Sequence, residues 1–255
     1  MTKINIALGM TQDWVQYSQV TIASVLDNAS KDDDYKFYIM SDNFTDEVKE
    51  CFIKLSKIKD CEFIFLKMNE EDFEGAIHDW LGISSSYRLK LSSITNEEKI
   101  LYLDSDTIVL QDIAELYNHD VTNYYLAGVE DKMGKYMKKR VMLEDGKKFI
   151  NGGVQLINLN KLREDSVEEK MFEKLREIMF YTDQDVVNDI CRDKILYLPL
   201  KYNFMPTAIY EGREEEAENC LKCPFILHFP AKPWIHNKID GFEHWNKYKL
   251  IVENL

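Results

Sequence analysis

A short apolar run that stops at two aspartates constrains this chain more than any other stretch. Residues 99–110 read KILYLDSDTIVL, and the apolar spacing before Asp104 is typical of a buried strand. In open α/β sheets, ligands bind beyond the carboxyl ends of such strands. If the strand continues, the carboxylates of Asp104 and Asp106 point to the same side and can share Mg²⁺ or Mn²⁺. The alternative is that one aspartate caps a helix and the other is solvated.

The first hundred residues alternate between strand and helix patterns. Strands are predicted at 4–9, 35–40 and 61–68, and helices at 15–28 and 45–58, the second capped by Thr45. This alternation predicts parallel strands with crossover helices, as in doubly wound α/β proteins. No glycine-rich phosphate loop follows the first strand, so a bound diphosphate would need a metal and basic side chains.

The remaining residues continue the same class of fold. Helices are predicted at 84–93, 112–117 and 161–180, a helix capped by Thr182 or Asp183 follows, and strands are predicted at 125–129, 149–159, 195–199 and 225–229. Residues 133–148 have little apolar periodicity and are interpreted as a mobile lid over the site. The pair Gly152 and Gly153 indicates a close approach to the backbone, or alternatively a simple bulge. No linker or repeat is found, which favours one domain.

Composition narrows the class of partner. The formal charge is −13, from 32 basic and 45 acidic residues, which argues against a nucleic-acid partner but not against a nucleotide at a local site. No signal peptide and no bilayer-spanning run are recognised, so a cytoplasmic location is expected, with peripheral membrane contact left open. The five cysteines are expected to be reduced thiols. The sequence does not predict the oligomeric state.

Three basic side chains, one on the helix predicted at 84–93 and two at or after the last predicted strand, are candidates for contact with an anion or a metal. Arg88 precedes the aspartate pair, and its alternative role is a solvated helix face. His228 ends the last apolar run and lies close to Lys232, although a lone histidine is more often structural.

Six motifs in one order resemble the family 8 glycosyltransferases, which include glycogenin and bacterial lipopolysaccharide galactosyl- and glucosyltransferases. Together they extend over nearly the whole chain. They are the first strand, Tyr87–Leu91, Leu101–Asp106, Asn151–Val154, Asp183–Asp185 with Tyr202–Pro206, and His228 with Lys232-Pro233-Trp234.

The resemblance implies a GT-A fold, with a Rossmann-like mixed sheet and helices on both faces in a single domain, 1–255. Residues 1–110 would form the nucleotide-binding half and 111–255 the acceptor-binding half. The implied reaction transfers glucose or galactose from a UDP-sugar to a saccharide or another hydroxyl acceptor, with retention at the anomeric carbon, as in lipopolysaccharide or glycan synthesis. The implied cofactor is Mn²⁺, with Mg²⁺ as the alternative.

The resemblance also assigns roles by position. Asp104, Asp106 and His228 would bind the metal, a ligand set that suits Mn²⁺ better than Ca²⁺. Lys232 would bind a phosphate oxygen, and Arg88 would pair with the aspartates or the donor sugar. Gln184 would stabilise developing oxocarbenium charge in a front-face substitution, with Asp185 as the reserve nucleophile. The remaining implied contacts are Asn151, Asp183 and Gly152 to the sugar hydroxyls, and Ala7, Gly9 and Ser105 to the donor.

Two departures from the family pattern affect the donor contacts. The family often has an aspartate after the first strand that reads uracil, whereas this chain continues Gly9-Met10-Thr11-Gln12-Asp13-Trp14. Asp13 and Trp14 are therefore predicted to replace that contact. The closing motif is also shorter than usual, because only Phe229-Pro230-Ala231 separates His228 from Lys232.

Two other classes of protein stay open at this point. A haloacid dehalogenase-like phosphatase also has a strand followed by Asp-x-Asp, but that motif needs a threonine where this chain has Ile108. A non-catalytic sugar-nucleotide-binding protein would keep the fold and lose the chemistry. An enzyme and a binder differ in whether bound sugar nucleotide is turned over.

Overall fold

The computed structural model describes residues 2–73, 83–131, 139, 141–143, 147–178, 181–235 and 238–255. The lid predicted at 133–148 lies largely outside the described residues, so its role stays a prediction.

Nine described strands build two sheets. They are β1 (Lys3–Gly9), β2 (Asp34–Ser41), β3 (Glu62–Lys67), β4 (Lys99–Leu103), β5 (Thr107–Val109), β6 (Leu126–Glu130), β7 (Ile150–Asn158), β8 (Ile195–Leu198) and β9 (Ile226–His228). Seven strands form one sheet in the order β3-β2-β1-β4-β7-β6-β8, and β5 pairs with β9. The first four are parallel, as predicted, whereas β7 is antiparallel to both of its neighbours. The main sheet is therefore mixed.

Helices cover both faces of the main sheet. In the part of the chain that the structure describes, the α-helices are α1 (Val15–Asp27), α2 (Asp46–Ile53), α3 (Leu91–Ile94), α4 (Ala114–Tyr117), α5 (Leu159–Glu164), α6 (Val167–Glu177), α7 (Asp183–Ile190), α8 (Glu214–Lys222) and α9 (Phe242–Glu253). In the main sheet, alternate residues along a strand enter different cores. Leu101 packs in the core that contains Trp245 of α9, and Tyr102 packs in the core that contains Met171 of α6. Among the described helices, none combines the length and the apolar composition needed to cross a bilayer.

Several helix boundaries differ from the sequence prediction. The helix expected at 161–180 is two helices, because Ser166 adopts a left-handed conformation (φ 48°) between α5 and α6. The segment expected at 84–93 is mainly a 3₁₀ helix, Ile83–Lys90, followed by the short α3. Thr45 caps α2 as predicted, but α2 ends at Ile53 and continues as a 3₁₀ turn. Helices α8 and α9 were not predicted.

The left-handed conformation of Ser166, between α5 and α6, can be tested by substitution. Ser166→Gly is expected to stabilise the protein by about 0.5–1 kcal/mol, because a Cβ is disfavoured at positive φ. Glu173→Gly, at an exposed position inside the following helix α6, should instead destabilise by about 1 kcal/mol. Urea unfolding of both variants measures the two free energies of unfolding. Equal losses would show that Ser166 is not left-handed in solution.

Candidate active site

A turn, not a continuing strand, brings the two aspartates together. Strand β4 ends at Leu103, the backbone N–H of Asp104 donates to Gly153 O at 2.8 Å, and both the N–H and the hydroxyl of Thr107 donate to Asp104 O, at 3.2 and 2.8 Å. The chain then enters β5 in the smaller sheet. The strand therefore stops before the aspartates, as the apolar run indicated, and it does not continue through them. The turn nevertheless brings both carboxylates to one site.

His228 completes a group of three metal-binding side chains. It lies opposite Thr107 in the register of β5 and β9. Its Nε2 is 3.3 Å from Asp106 Oδ1 and 3.9 Å from Asp104 Oδ2, and one ligand atom from each of the three residues lies within 4.8 Å of the others. The structure thus places together the three residues predicted to bind the metal.

The surroundings of this group fit a divalent cation. A Cβ on Gly153 would lie 2.3 Å from His228 Cε1 and 2.9 Å from Asp104 Oδ2, so only a bare backbone fits behind the cluster. Two carboxylates and one imidazole match the preferences of Mn²⁺ and leave coordination positions for substrate oxygens. This agrees with the predicted close approach at the glycine pair.

A buried guanidinium lies beside the cluster. Arg88 Nε donates to Asp183 Oδ2 at 2.6 Å, and Nη2 donates to the same carboxylate. Its Nη1 donates to Gly152 O at 2.5 Å and lies 3.4 Å from Asp104 Oδ1. A Cβ on Gly152 would lie 2.8 Å from Nη2, which explains the second glycine. Arg88 therefore connects the β7 backbone, the metal site and the start of α7.

The first turn of α7 holds the Asp183-Gln184-Asp185 motif. Thr182 is the N-cap, as predicted, and it forms a capping box with Asp185. Asp185 Oδ2 accepts hydrogen bonds from the backbone and the hydroxyl of Thr182, each at 2.8 Å, and the residue has no exposed surface. We therefore assign Asp185 to the helix cap and not to a nucleophilic role. Asp183 is also buried, and it binds Arg88 and the hydroxyl of Ser85.

Gln184 and Asn151 share a partner that sequence reasoning missed. Asp131 Oδ2 accepts from Gln184 Nε2 at 3.3 Å and from Asn151 Nδ2 at 3.0 Å. Gln184 Oε1 in turn accepts from the Gly152 N–H at 2.8 Å. Asp131 directly follows the buried strand β6, which is the same signal that singled out Asp104. It lacks a second aspartate two residues on, and so it passed unnoticed.

Three residues predicted to contact the donor lie at or near the carboxyl ends of β1 and β4, in close contact with other parts of the chain. Ala7 is fully buried within β1, which leaves it no surface for a ligand, and we do not assign it to the donor site. Ser105 is buried and its hydroxyl pairs with that of Ser18 at 2.7 Å. Gly9 ends β1, where a Cβ would lie 2.4 Å from Ser84 O.

The residues predicted to bind the base and the phosphate lie side by side. Asp13 and Trp14 belong to a 3₁₀ helix after β1, and Asp13 is exposed. Trp14 packs edge-on against Trp234 at 5.5 Å, and Lys232 Nζ lies 5.1 Å from the Trp14 ring. The segment after β1 and the C-terminal segment therefore meet where Trp14 packs against Trp234.

Charge coupling shifts the pKa values of two candidate ligands. Burial raises the pKa of Asp104, and the charge of Asp106 adds to this effect while Arg88 opposes it. Burial lowers the pKa of His228, but the charge of Asp106 and its hydrogen bond outweigh that effect, so the pKa lies above its usual value. Both side chains therefore retain protons to higher pH than isolated residues would.

This fold and this site define a glycosyltransferase of the GT-A type, as predicted. The structure matches that of the galactosyltransferase LgtC, solved in complex with donor and acceptor sugar analogues, with a TM-score of 0.79. The two sequences are 25% identical, and the match covers 96% of this chain and 95% of that chain.

The sequence assigns the family. The model of glycosyl transferase family 8 matches residues 5–238, and the chain belongs to that family. It is 33% identical over 248 residues to a Haemophilus influenzae protein described as a glycosyltransferase, covering 92% of this chain and 74% of that protein. It is 24% identical over 267 residues to the lipopolysaccharide 1,2-glucosyltransferase of Escherichia coli K12, covering 98% of this chain and 78% of that protein. The predicted membership is confirmed.

Gly153 tests whether the cluster needs a bare backbone. Gly153→Ala is expected to weaken Mn²⁺ binding by about tenfold or more, because the new Cβ would displace His228 and Asp104. Gly128→Ala is the matched control, since its Cβ would meet the flexible end of Ile150 at 2.7 Å, away from the proposed ligands. Calorimetric titration with Mn²⁺ measures the difference, and equal affinities for the two variants would contradict the proposed ligand geometry.

The raised pKa values predict that metal binding depends on pH. Because a metal binds only deprotonated ligands, Mn²⁺ must displace protons from His228 and Asp104. Affinity should fall as the pH falls, by up to about tenfold per pH unit for each displaced proton. Titrations near neutral pH in two buffers of different ionisation enthalpy should show net proton release. Proton-neutral binding would show that these pKa values are not raised.

Proposed function

We propose that this protein is a retaining hexosyltransferase that moves glucose or galactose from a UDP-sugar to a hydroxyl acceptor. One observation carries the proposal: the metal cluster, the Arg88–Asp183 pair and the Gln184 amide all converge on the backbone of Gly152 and Gly153. A diphosphate on the cluster would place its sugar next to these polar groups.

The donor is held by residues from both halves, 1–110 and 111–255. Mn²⁺, or Mg²⁺ in its place, would bind Asp104, Asp106 and His228 and would neutralise the diphosphate as UDP leaves. Lys232 would bind a phosphate oxygen, for which its Nζ must leave the face of Trp14. Trp14 would then offer its ring to the base, with Asp13 beside it.

The sugar-facing residues suit front-face substitution. The acceptor oxygen forms its bond to the anomeric carbon on the side from which UDP departs, and the acceptor proton passes to the leaving phosphate oxygen. Gln184 stabilises positive charge on the sugar ring through its amide oxygen. Asn151 and the Gly152 backbone orient sugar hydroxyls. Arg88 holds Asp183 and Gly152 in place, and no buried carboxylate needs to attack the sugar.

The acceptor is proposed to be a saccharide or glycoconjugate, as in lipopolysaccharide or glycan synthesis. One relative is named for a lipopolysaccharide sugar transfer, and the solved structure of LgtC contains an acceptor sugar analogue. We place the reaction in the cytoplasm, because the five cysteines are free thiols, as expected in a reducing compartment. Contact with a membrane surface would bring a lipid-linked acceptor to the site.

A non-catalytic sugar-nucleotide-binding protein is the second candidate. The run Gly9–Trp14 after the first strand, which departs from the family's usual base-reading aspartate, favours it. The Gln184–Asp131–Asn151 contacts favour the enzyme, since a binder that holds only UDP would not need them.

Metal-dependent nucleotide binding is the first test. UDP at about 100 times its dissociation constant should stabilise the protein by about 2.7 kcal/mol when Mn²⁺ is present, and much less without it. Asp106→Asn should abolish the Mn²⁺-dependent part, whereas Asp60→Asn, in an exposed turn, should retain it. Thermal unfolding with a panel of nucleotides and UDP-sugars measures these shifts. Equal stabilisation with and without metal would contradict the proposed site.

Stereochemistry tests the reaction. With the best-stabilising UDP-sugar and a panel of saccharide acceptors, NMR of the first-formed product should show the donor's anomeric configuration. Gln184→Ala should lower kcat by about tenfold or more with a smaller change in KM, because its amide acts mainly on developing charge. An inverted product would contradict the mechanism. Tight donor binding without transfer or hydrolysis would favour the binder.

A further inference from the structure

A fully buried asparagine lies between the metal site and the sugar-facing residues. Asn203 follows a 3₁₀ turn, Leu200–Tyr202, and has no exposed surface. Its Nδ2 donates to Asn151 Oδ1 at 2.9 Å, and its Oδ1 lies 2.9 Å from His228 Nδ1. A continuous chain of hydrogen bonds therefore runs from Asp131 through Asn151 and Asn203 to His228.

The contacts of Asn151 determine which group donates and which accepts in each of these hydrogen bonds. A carboxylate only accepts, so Asn151 must turn its amide nitrogen toward Asp131. The backbone N–H of Gly153 only donates, and it donates to Asn151 Oδ1 at 2.9 Å. With the orientation of Asn151 settled, Asn203 must offer its NH₂ to that oxygen, which leaves the Asn203 oxygen facing the imidazole.

The orientation of Asn203 decides which imidazole nitrogen carries the proton. An amide oxygen cannot donate, so His228 Nδ1 must hold a proton. The lone pair of the neutral ring is then on Nε2, the atom that faces Asp106 and Asp104. An outer partner of this kind fixes both the tautomer and the ring orientation of a metal-binding histidine.

We propose that Asn203 is a positioning residue that presents His228 Nε2 to the metal and holds Asn151 toward the donor sugar. The proposal rests on the proposed function, because it assumes that a metal and a sugar nucleotide occupy this site. Its consequence is that metal binding and sugar orientation are coupled, since one side chain contacts both His228 and Asn151.

The local backbone keeps Asn203 at a fixed position. The N–H of Phe204 donates to Ile226 O at 3.1 Å, and the N–H of His228 donates to Phe204 O at 2.8 Å. These bonds attach the Asn203 segment to β9, the strand that carries His228. A substitution of Asn203 should therefore remove side-chain hydrogen bonds to Asn151 or His228 and leave the backbone hydrogen bonds to β9 in place.

Two substitutions separate the two contacts. Asn203→Ala removes both and should weaken Mn²⁺ binding by about 10–100-fold. Asn203→Asp still accepts from His228 Nδ1 but as a carboxylate cannot donate to Asn151. It should therefore retain Mn²⁺ affinity and lower kcat/KM for sugar transfer by about tenfold. Asn5→Ala is the matched control, because Asn5 is buried at the opposite end of the sheet and binds Glu97.

Calorimetry and the EPR spectrum of bound Mn²⁺ measure the metal contact without any turnover. We expect an altered EPR spectrum for Asn203→Ala and wild-type spectra for Asn203→Asp and Asn5→Ala. If Asn203→Ala binds Mn²⁺ as tightly as Asn5→Ala, or if Asn203→Asp loses metal affinity, the proposal is wrong. If the wild-type protein itself does not bind Mn²⁺, with or without UDP, the proposed function fails instead.

Discussion

The buried guanidinium of Arg88 is the interaction on which the site depends. It joins Asp183 at the start of α7, the carbonyl of Gly152 in β7 and the carboxylate of Asp104 after β4. Removing one partner of a buried pair typically costs about 3–5 kcal/mol, because the other charge stays buried without compensation. A planar fork of donors serves three acceptors in fixed directions, which a lysine cannot do. Arg88 thus connects the candidate metal ligands with the residues proposed to face the sugar.

Much of this architecture could be predicted from local patterns. Alternating strands and helices gave the parallel half of the sheet, and the apolar run before Asp104 located the metal site. The same patterns failed to predict two places where the backbone conformation changes. Ser166 breaks a helix whose apolar periodicity continues across it. The two aspartates converge through a turn at residues 104–107, which the sequence pattern did not predict. Periodicity reports which side chains are buried, not where the chain reverses.

No local sequence pattern predicted the hydrogen bonds that Asn203 and Asp131 make next to the candidate metal ligands. Asn203 contacts Asn151 and His228, which are 52 and 25 residues away in sequence. Such pairs form only after three separate elements have packed. Asp131 does follow a buried strand, but its partners Gln184 and Asn151 come from α7 and β7, so its contacts also required the fold. The family motifs located individual residues, whereas the contacts that orient those residues required the fold.

Charge explains why a cation belongs in this site. Asp104 and Asp106 belong to the group of side chains on which we propose that the donor diphosphate binds, in a chain whose formal charge is −13. Two like charges about 5 Å apart repel by about 3 kcal/mol at an effective dielectric constant of 20. Arg88 offsets this repulsion only in part, because its guanidinium also pairs with Asp183, and Lys232 lies over the ring of Trp14. A divalent ion held by Asp104 and Asp106 would convert the repulsion into attraction, and donor binding would then depend on the geometry that Asn203 and Gly153 impose on His228.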